Sequence, residues 1–122
     1  ILCQMKKILV IDDVEGNRDI IASLLEGEYN VLQAADGKKG LEMAERESPA
    51  LIFMDVSMPE IGGLDLIREF RKHPTLYAVP VIAITAHSLF SARKMVDRGC
   101  NDFILKPLTP HKIKDMLEKW IY

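Results

Sequence analysis

Leu51-Ile52-Phe53-Met54-Asp55 is a run of four apolar residues leading into one carboxylate. Pro49 precedes it, and Met58-Pro59 and Gly62-Gly63 follow. A continuous apolar run bounded by such turn formers predicts a strand buried on both faces. The strand is expected to end at Asp55, where polar and turn-forming residues begin. A buried parallel strand has no structural use for an aspartate at its tip. In an open α/β sheet, ligands bind beyond the carboxyl ends of the strands. Asp55 is therefore the residue to explain.

Working outward from this strand, apolar runs and helical spacings alternate. Lys6 to Asp13 predicts a second buried strand, again ending in carboxylates. Glu15 to Glu26 follows as a helix with Ile20, Ile21, Leu24 and Leu25 on its apolar face and Gly27 as C-cap. Tyr29 to Ala34 is a short edge strand, and Asp36-Gly37 turns the chain into a helix over Lys38 to Arg46, with Leu41, Met43 and Ala44 inward. Beyond Asp55, Gly63 to Lys72 is a helix with Leu64, Ile67 and Phe70 inward, stopped by Pro74. Pro80 to Thr85 is a fourth buried strand, and Ser88 to Arg98 a fourth helix closed by Gly99. Asp102 to Pro107 is a fifth strand that delivers Lys106. Thr109 caps a last helix with Pro110 at its first position and Ile113, Met116, Leu117 and Trp120 on one stripe. Five strands alternating with five helices predict a parallel sheet covered on both faces, a doubly wound three-layer sandwich. The alternation leaves the strand order open.

The chain has 122 residues, 48% of them apolar and 28% charged, which suits one domain spanning 1–122 with its core over about 6–121. A formal net charge of −2 with no large basic face argues against nucleic acid as a partner. No apolar run approaches the ~20 residues that cross a bilayer, and no signal-peptide pattern opens the chain, so a cytoplasmic setting is expected. Ile1 is not an initiator residue, and Met5-Lys6-Lys7 could equally be the natural start. Cys3 and Cys100 have no metal-ligand spacing and are expected as free thiols.

Four strand ends meet at one rim: Asp12-Asp13, Asp55, Thr85 and Lys106. Three carboxylates placed close together raise at least one pKa unless a positive charge sits among them. Lys106 is one such charge. A divalent cation is the other, and oxygen ligands without histidine or cysteine favour Mg²⁺ over zinc. Carboxylate, Mg²⁺, lysine and hydroxyl together make a phosphoryl site, and an aspartate can itself be the nucleophile. The economical division has Asp55 attacking while Asp12 and Asp13 hold the metal. Each residue also has a plainer reading: Asp13 as a turn former, Thr85 as a β-propensity residue, Phe103 as core, Lys106 as a surface charge. Their convergence on one rim favours chemistry. His73 and His111 sit in loop or cap positions and are given no role; His87, two residues past Thr85, could overhang the site, although a plain loop role is favoured.

In order and spacing, Asp12-Asp13, Met54-Asp55, the Met58-Pro59 and Gly62-Gly63 loop, Thr85-Ala86 and Lys106-Pro107 resemble the CheY-like receiver domain of two-component response regulators. The resemblance covers nearly the whole chain from Lys6 onward. It implies a flavodoxin-like sheet in the order 2-1-3-4-5. It further implies Mg²⁺-dependent phosphorylation of Asp55 by a sensor histidine kinase or a histidine phosphotransfer protein. The metal ligands would be Asp12, Asp13, Asp55 and the Ser57 carbonyl. Lys106 would bind the phosphoryl group, preceding Pro107 in a cis bond, and Thr85 with Phe103 would form the switch pair. The module would accept a phosphoryl group and autodephosphorylate rather than act as a dedicated enzyme. Its output would run to a downstream protein or a fused output domain. The signalling face would be the fourth helix, fifth strand and fifth helix, with Arg93, Lys94, Phe103, Lys112 and Asp115, and a homodimer through that face is a further expectation.

Ser57 and His87 occupy the two positions that flank the phosphoryl group in the family and influence its hydrolysis. Asn17, four residues after Asp13, resembles receivers fused to hybrid kinases and some stand-alone receivers. Two rival functions compete with the receiver. A haloacid-dehalogenase-type phosphatase resembles Asp-x-Asp at the first strand, but Asp12-Asp13-Val14-Glu15 lacks the second aspartate two residues on. A degenerate receiver that docks without phosphorylation conflicts with the retention of every acidic, hydroxyl and lysine position.

Overall fold

The computed structural model of the chain describes residues 5–56, 63–86, 93–94 and 96–121. In chain order its elements are β1 (Lys7–Ile11), α1 (Glu15–Leu25), β2 (Asn30–Ala34), α2 (Gly37–Glu47), β3 (Leu51–Asp55), α3 (Gly63–Lys72), β4 (Val81–Thr85), β5 (Asp102–Leu105) and α4 (Pro110–Trp120). All strand pairings are parallel, and the order is β2-β1-β3-β4-β5. Four complete helices are thus present among the described residues. Most of the helix expected over Ser88 to Arg98 lies outside them; within it, Arg93, Lys94, Val96 and Asp97 are helical.

The pleat sends alternate residues to opposite faces, so the sheet separates two cores. Leu9, Ile11, Ile52, Met54, Val81 and Ala83 pack with Ala44 of α2 and with Leu66, Ile67 and Phe70 of α3. Ile8, Val10, Phe53, Ile82, Ile84 and Ile104 pack on the other face with Ile21 and Leu25 of α1 and with Ile113 and Leu117 of α4. The three central strands read as unbroken apolar runs because both of their faces are covered. At Gly40 on α2, an added Cβ would stand 2.5 Å from Ile11 Cδ1, so the helix can lie this close to β1 only with glycine there.

One inward-facing assignment changes. Ile20 is exposed, because Ile21 and Leu25, one turn apart, set the buried stripe of α1. On α3, Leu66 is buried beside Ile67 and Phe70, while the Leu64 side chain lies outside the described residues. The helix caps follow the residue types. Asp36 Oδ1 accepts from Lys39 N–H at the start of α2, and Thr109 Oγ1 accepts from Lys112 N–H at the start of α4. Gly27, after α1, takes φ +83°, the left-handed conformation that glycine adopts without a steric penalty.

Candidate functional site

Asp55 and Thr85 are the last residues of β3 and β4, whereas β1 and β5 stop just short of the residues that carry their chemistry. β1 ends at Ile11, so Asp12 and Asp13 stand just beyond the sheet. Asp12 N–H still donates to Ala34 O, and then Asp12 Oδ1 accepts from Val14 N–H at 2.9 Å. That turn, formed by an aspartate bonding its own backbone two residues on, takes the chain off the sheet and into α1. β5 likewise ends at Leu105. Lys106 N–H donates to Thr85 O at 2.8 Å, and a cis peptide bond joins Lys106 to Pro107.

The rim gathers what the residue types suggested. Carboxylate oxygens of Asp12, Asp13 and Asp55 all lie within 4.8 Å of one another. Lys106 Nζ is 3.2 Å from Asp55 Oδ2. Asp12, Asp55 and Thr85 are the buried polar residues among the described residues, whereas Asp13 is exposed. Burial pushes the Asp12 carboxyl above its ordinary value, and the nearby Asp55 charge adds to the rise. Hydrogen bonds from Val14 and Asn17, and the Lys106 charge, pull against it. The crowding of carboxylates thus raises a pKa as expected, though burial outweighs repulsion as the cause.

Thr85 and Phe103 are related through the sheet register. Thr85 lies opposite Leu105, and Ala83 lies opposite Phe103. Phe103 and Thr85 therefore emerge on the same face, one pleat period apart on neighbouring strands. Phe103 is half-buried and packs against the core on the α2 and α3 side. Ser57 and His87 lie outside the described residues.

Such a donor set suits a hard cation. Three carboxylates within reach of one point, with no nitrogen or sulfur ligand beside them among the described residues, match the oxygen preference of Mg²⁺.

The chain matches the family model of the response regulator receiver domain over residues 8–118. The chain belongs to that family.

Among relatives of this receiver, the probable transcriptional regulator ycf27 of Porphyridium aerugineum is 39% identical over 91% of the chain and 46% of its own length. Response regulator PleD of Caulobacter vibrioides is 38% identical over 84% of the chain and 23% of its own length. The receiver thus spans less than half of these regulators. The receiver domain of sensor histidine kinase PA1611 from Pseudomonas aeruginosa, solved with magnesium coordinated in its active site cleft, is 32% identical. It superposes with a TM-score of 0.87 over 96% of this chain and 98% of that one. No described helix of the receiver is long and apolar enough to cross a membrane.

Some contacts of the receiver's site were not legible in the sequence. Asn17 Nδ2 donates to Asp12 Oδ2 at 3.2 Å, and Arg18 Nη1 donates to the Asp12 carbonyl at 2.7 Å. Lys112, expected on the signalling face, reaches the loop after β5. Its Nζ donates to Leu105 O at 2.8 Å and to Pro107 O at 3.0 Å. The spacing of Asn17 from Asp13 was the one available signal among these.

Proposed function

We infer that the chain, a member of the response regulator receiver family, is a phosphoacceptor module of two-component signalling. We propose that Asp55 is the acceptor and that one such domain fills residues 1–122, with its core over about 6–121. The observation that carries this reading is the position of Asp55 at the end of the central strand. It is buried, flanked by two further carboxylates within 4.8 Å and paired with Lys106 at 3.2 Å.

In the proposed reaction a carboxylate oxygen of Asp55 attacks phosphorus. The bond from phosphorus to the imidazole nitrogen of a donor phosphohistidine breaks, and the leaving imidazole keeps the electron pair and takes a proton. Asp55 then carries a mixed anhydride. Asp12, Asp13 and Asp55, with the Ser57 carbonyl, would hold Mg²⁺, which neutralises charge on the transferring phosphoryl oxygens. Lys106, already at Asp55, balances the charge of the new phosphoryl group, and Thr85 donates its hydroxyl to another oxygen. Water attack on phosphorus reverses the modification, so the domain autodephosphorylates without being a dedicated enzyme.

The donor is a sensor histidine kinase or a histidine phosphotransfer domain in the cytoplasm. The output is a downstream protein or a fused domain, reached through the face around β5 and α4 with Arg93, Lys94, Phe103 and Asp115. The same face serves a homodimer. Placement of Thr85 and Phe103 on one side of the sheet supports their pairing as the switch.

Intact mass after incubation with acetyl phosphate and Mg²⁺ tests the assignment. One phosphoryl addition is expected, and it should vanish in Asp55→Asn and with chelator. Labelling that survives Asp55→Asn overturns it.

A further inference from the structure

Asp12 is a carboxylate with 1% of its surface exposed, and a neutral donor holds each of its oxygens. The Val14 N–H fixes Oδ1 at 2.9 Å, and Asn17 Nδ2 fixes Oδ2 at 3.2 Å. Lys106, the cation of the rim, is bonded to Asp55 instead. Arg18, next to Asn17, grips the Asp12 main-chain carbonyl at 2.7 Å and Gln33 Oε1 at 3.2 Å, which ties this turn to β2. Asn17 is therefore the side-chain donor that sets the rotation of the Asp12 carboxylate about its own bond.

We infer that Asn17 is a positioning residue for divalent-cation binding. It acts through Asp12, a role that rests on the magnesium site proposed above. A carboxylate whose two oxygens are pre-bonded presents its remaining lone pairs in fixed directions, so the cation meets an ordered group. The partners that orient metal-ligating residues are worth about 10–100-fold in metal affinity. Removing the amide leaves Oδ2 without its donor and frees the carboxylate to turn.

Mg²⁺ titration calorimetry on the full chain tests this, alongside the initial rate of labelling by acetyl phosphate as Mg²⁺ is varied. Asn17→Ala should weaken Mg²⁺ binding by about 10-fold or more. It should raise the half-saturating Mg²⁺ concentration for labelling while the rate at saturating Mg²⁺ stays at the wild-type level. In an Asp12→Ala background, Asn17→Ala should add little. Wild-type binding with unchanged affinity in Asn17→Ala overturns the inference alone. So does a loss confined to the saturating rate, or a loss undiminished in the Asp12→Ala background. Absence of Mg²⁺ binding by the wild type instead brings down the proposed site and this inference with it.

An independent observation assigns a second positioning residue on the other side of the rim. Lys112 Nζ bonds the carbonyls of Leu105 and Pro107, the residues on either side of Lys106. It thereby clamps the loop that delivers Lys106 to Asp55. Misplacing a reacting group by 1 Å can cost ~100-fold in rate. Lys112→Met should lower the saturating labelling rate several-fold and leave Mg²⁺ affinity unchanged, the opposite split to Asn17→Ala. Lys112→Arg should restore part of the rate, and Lys112→Met should add little to Lys106→Ala. An unchanged rate in Lys112→Met, or full additivity with Lys106→Ala, overturns this second assignment.

Discussion

Lys106 Nζ reaches Asp55 Oδ2 at 3.2 Å, and this pair joins the edge strand to the central strand across β4. The carboxylate is almost fully buried, while the lysine keeps about a quarter of its side chain exposed, at 26%. The lysine therefore stabilises a charge that burial alone disfavours. Lys106→Met should lower metal-free stability by about 1–3 kcal/mol, the cost of leaving a buried acceptor short of its partner. Urea unfolding in the presence of chelator measures it. No loss would mean that the pair contributes nothing to the fold.

Asp13 is the exposed member of the three carboxylates. Asp13→Ala should weaken Mg²⁺ binding while changing metal-free stability by only about 0.5 kcal/mol, in the stabilising direction because a like charge leaves the rim. Titration calorimetry and a denaturation curve with chelator read the two effects. Unchanged Mg²⁺ affinity would remove Asp13 from the metal site.

Thr85 shares a sheet face with Phe103. Thr85→Ala should accept the phosphoryl group and yet leave Phe103 and α4 in their resting setting, a loss of about 1–3 kcal/mol of coupling. Amide chemical shifts with a beryllofluoride mimic follow it. Wild-type shifts confined to the neighbourhood of Asp55, with none at Phe103 or α4, would sink the switch.

Asp102 binds the far end of α4. Its Oδ2 accepts from Lys119 Nζ at 2.8 Å and Trp120 Nε1 at 3.0 Å, and its Oδ1 from Phe103 N–H at 2.9 Å. Burial acts to raise this carboxyl, but the three hydrogen bonds and the Lys119 charge together leave it below the ordinary value of 3.8. A carboxyl depressed in the fold contributes stability that is present above 3.8 and lost as pH falls through the folded value. Asp102→Asn should cost about 0.5–1 kcal/mol at neutral pH, held down by the exposure of Lys119. The gap from wild type should close on acidification below the unfolded value. A gap that persists at low pH would assign the contribution to packing instead. Trp120 is the sole tryptophan, so its emission reports this contact directly.

The strand ends were legible because a charge or hydroxyl at the tip of an apolar run stands out against its neighbours. Asp12 and Asp55 come within reach of each other and Lys106 pairs with Asp55, while Thr85 meets Lys106 through its main-chain carbonyl. Strand order entered only through the family resemblance, since parallel pairing leaves little trace in one sequence. The long-range polar contacts left none. Arg71 donates to Gly99 O, Tyr77 O, Val79 O and Asn101 Oδ1, fastening α3 to both ends of the segment that contains β4. Three of those acceptors are main-chain carbonyls, which every residue carries. The contacts of Lys112, expected on the signalling face, left no trace for the same reason: its targets are carbonyls, and its position on α4 reads as surface. Ile20 misled because apolar character on a helix does not by itself say which of two adjacent residues meets the core.

The pleat gives the chain a division of labour. Asp55 lies opposite Ile84 and so emerges on the face that α1 and α4 cover, whereas Thr85 and Phe103 emerge on the face of α2 and α3. The residue that would be modified and the residues that would register the change therefore answer to different layers of helices. Substitutions in α1 act on the layer packed on the Asp55 face, and substitutions around Phe103 act on the opposite layer, so the two can communicate only through the sheet. The two layers of helices can thus be repacked one side at a time.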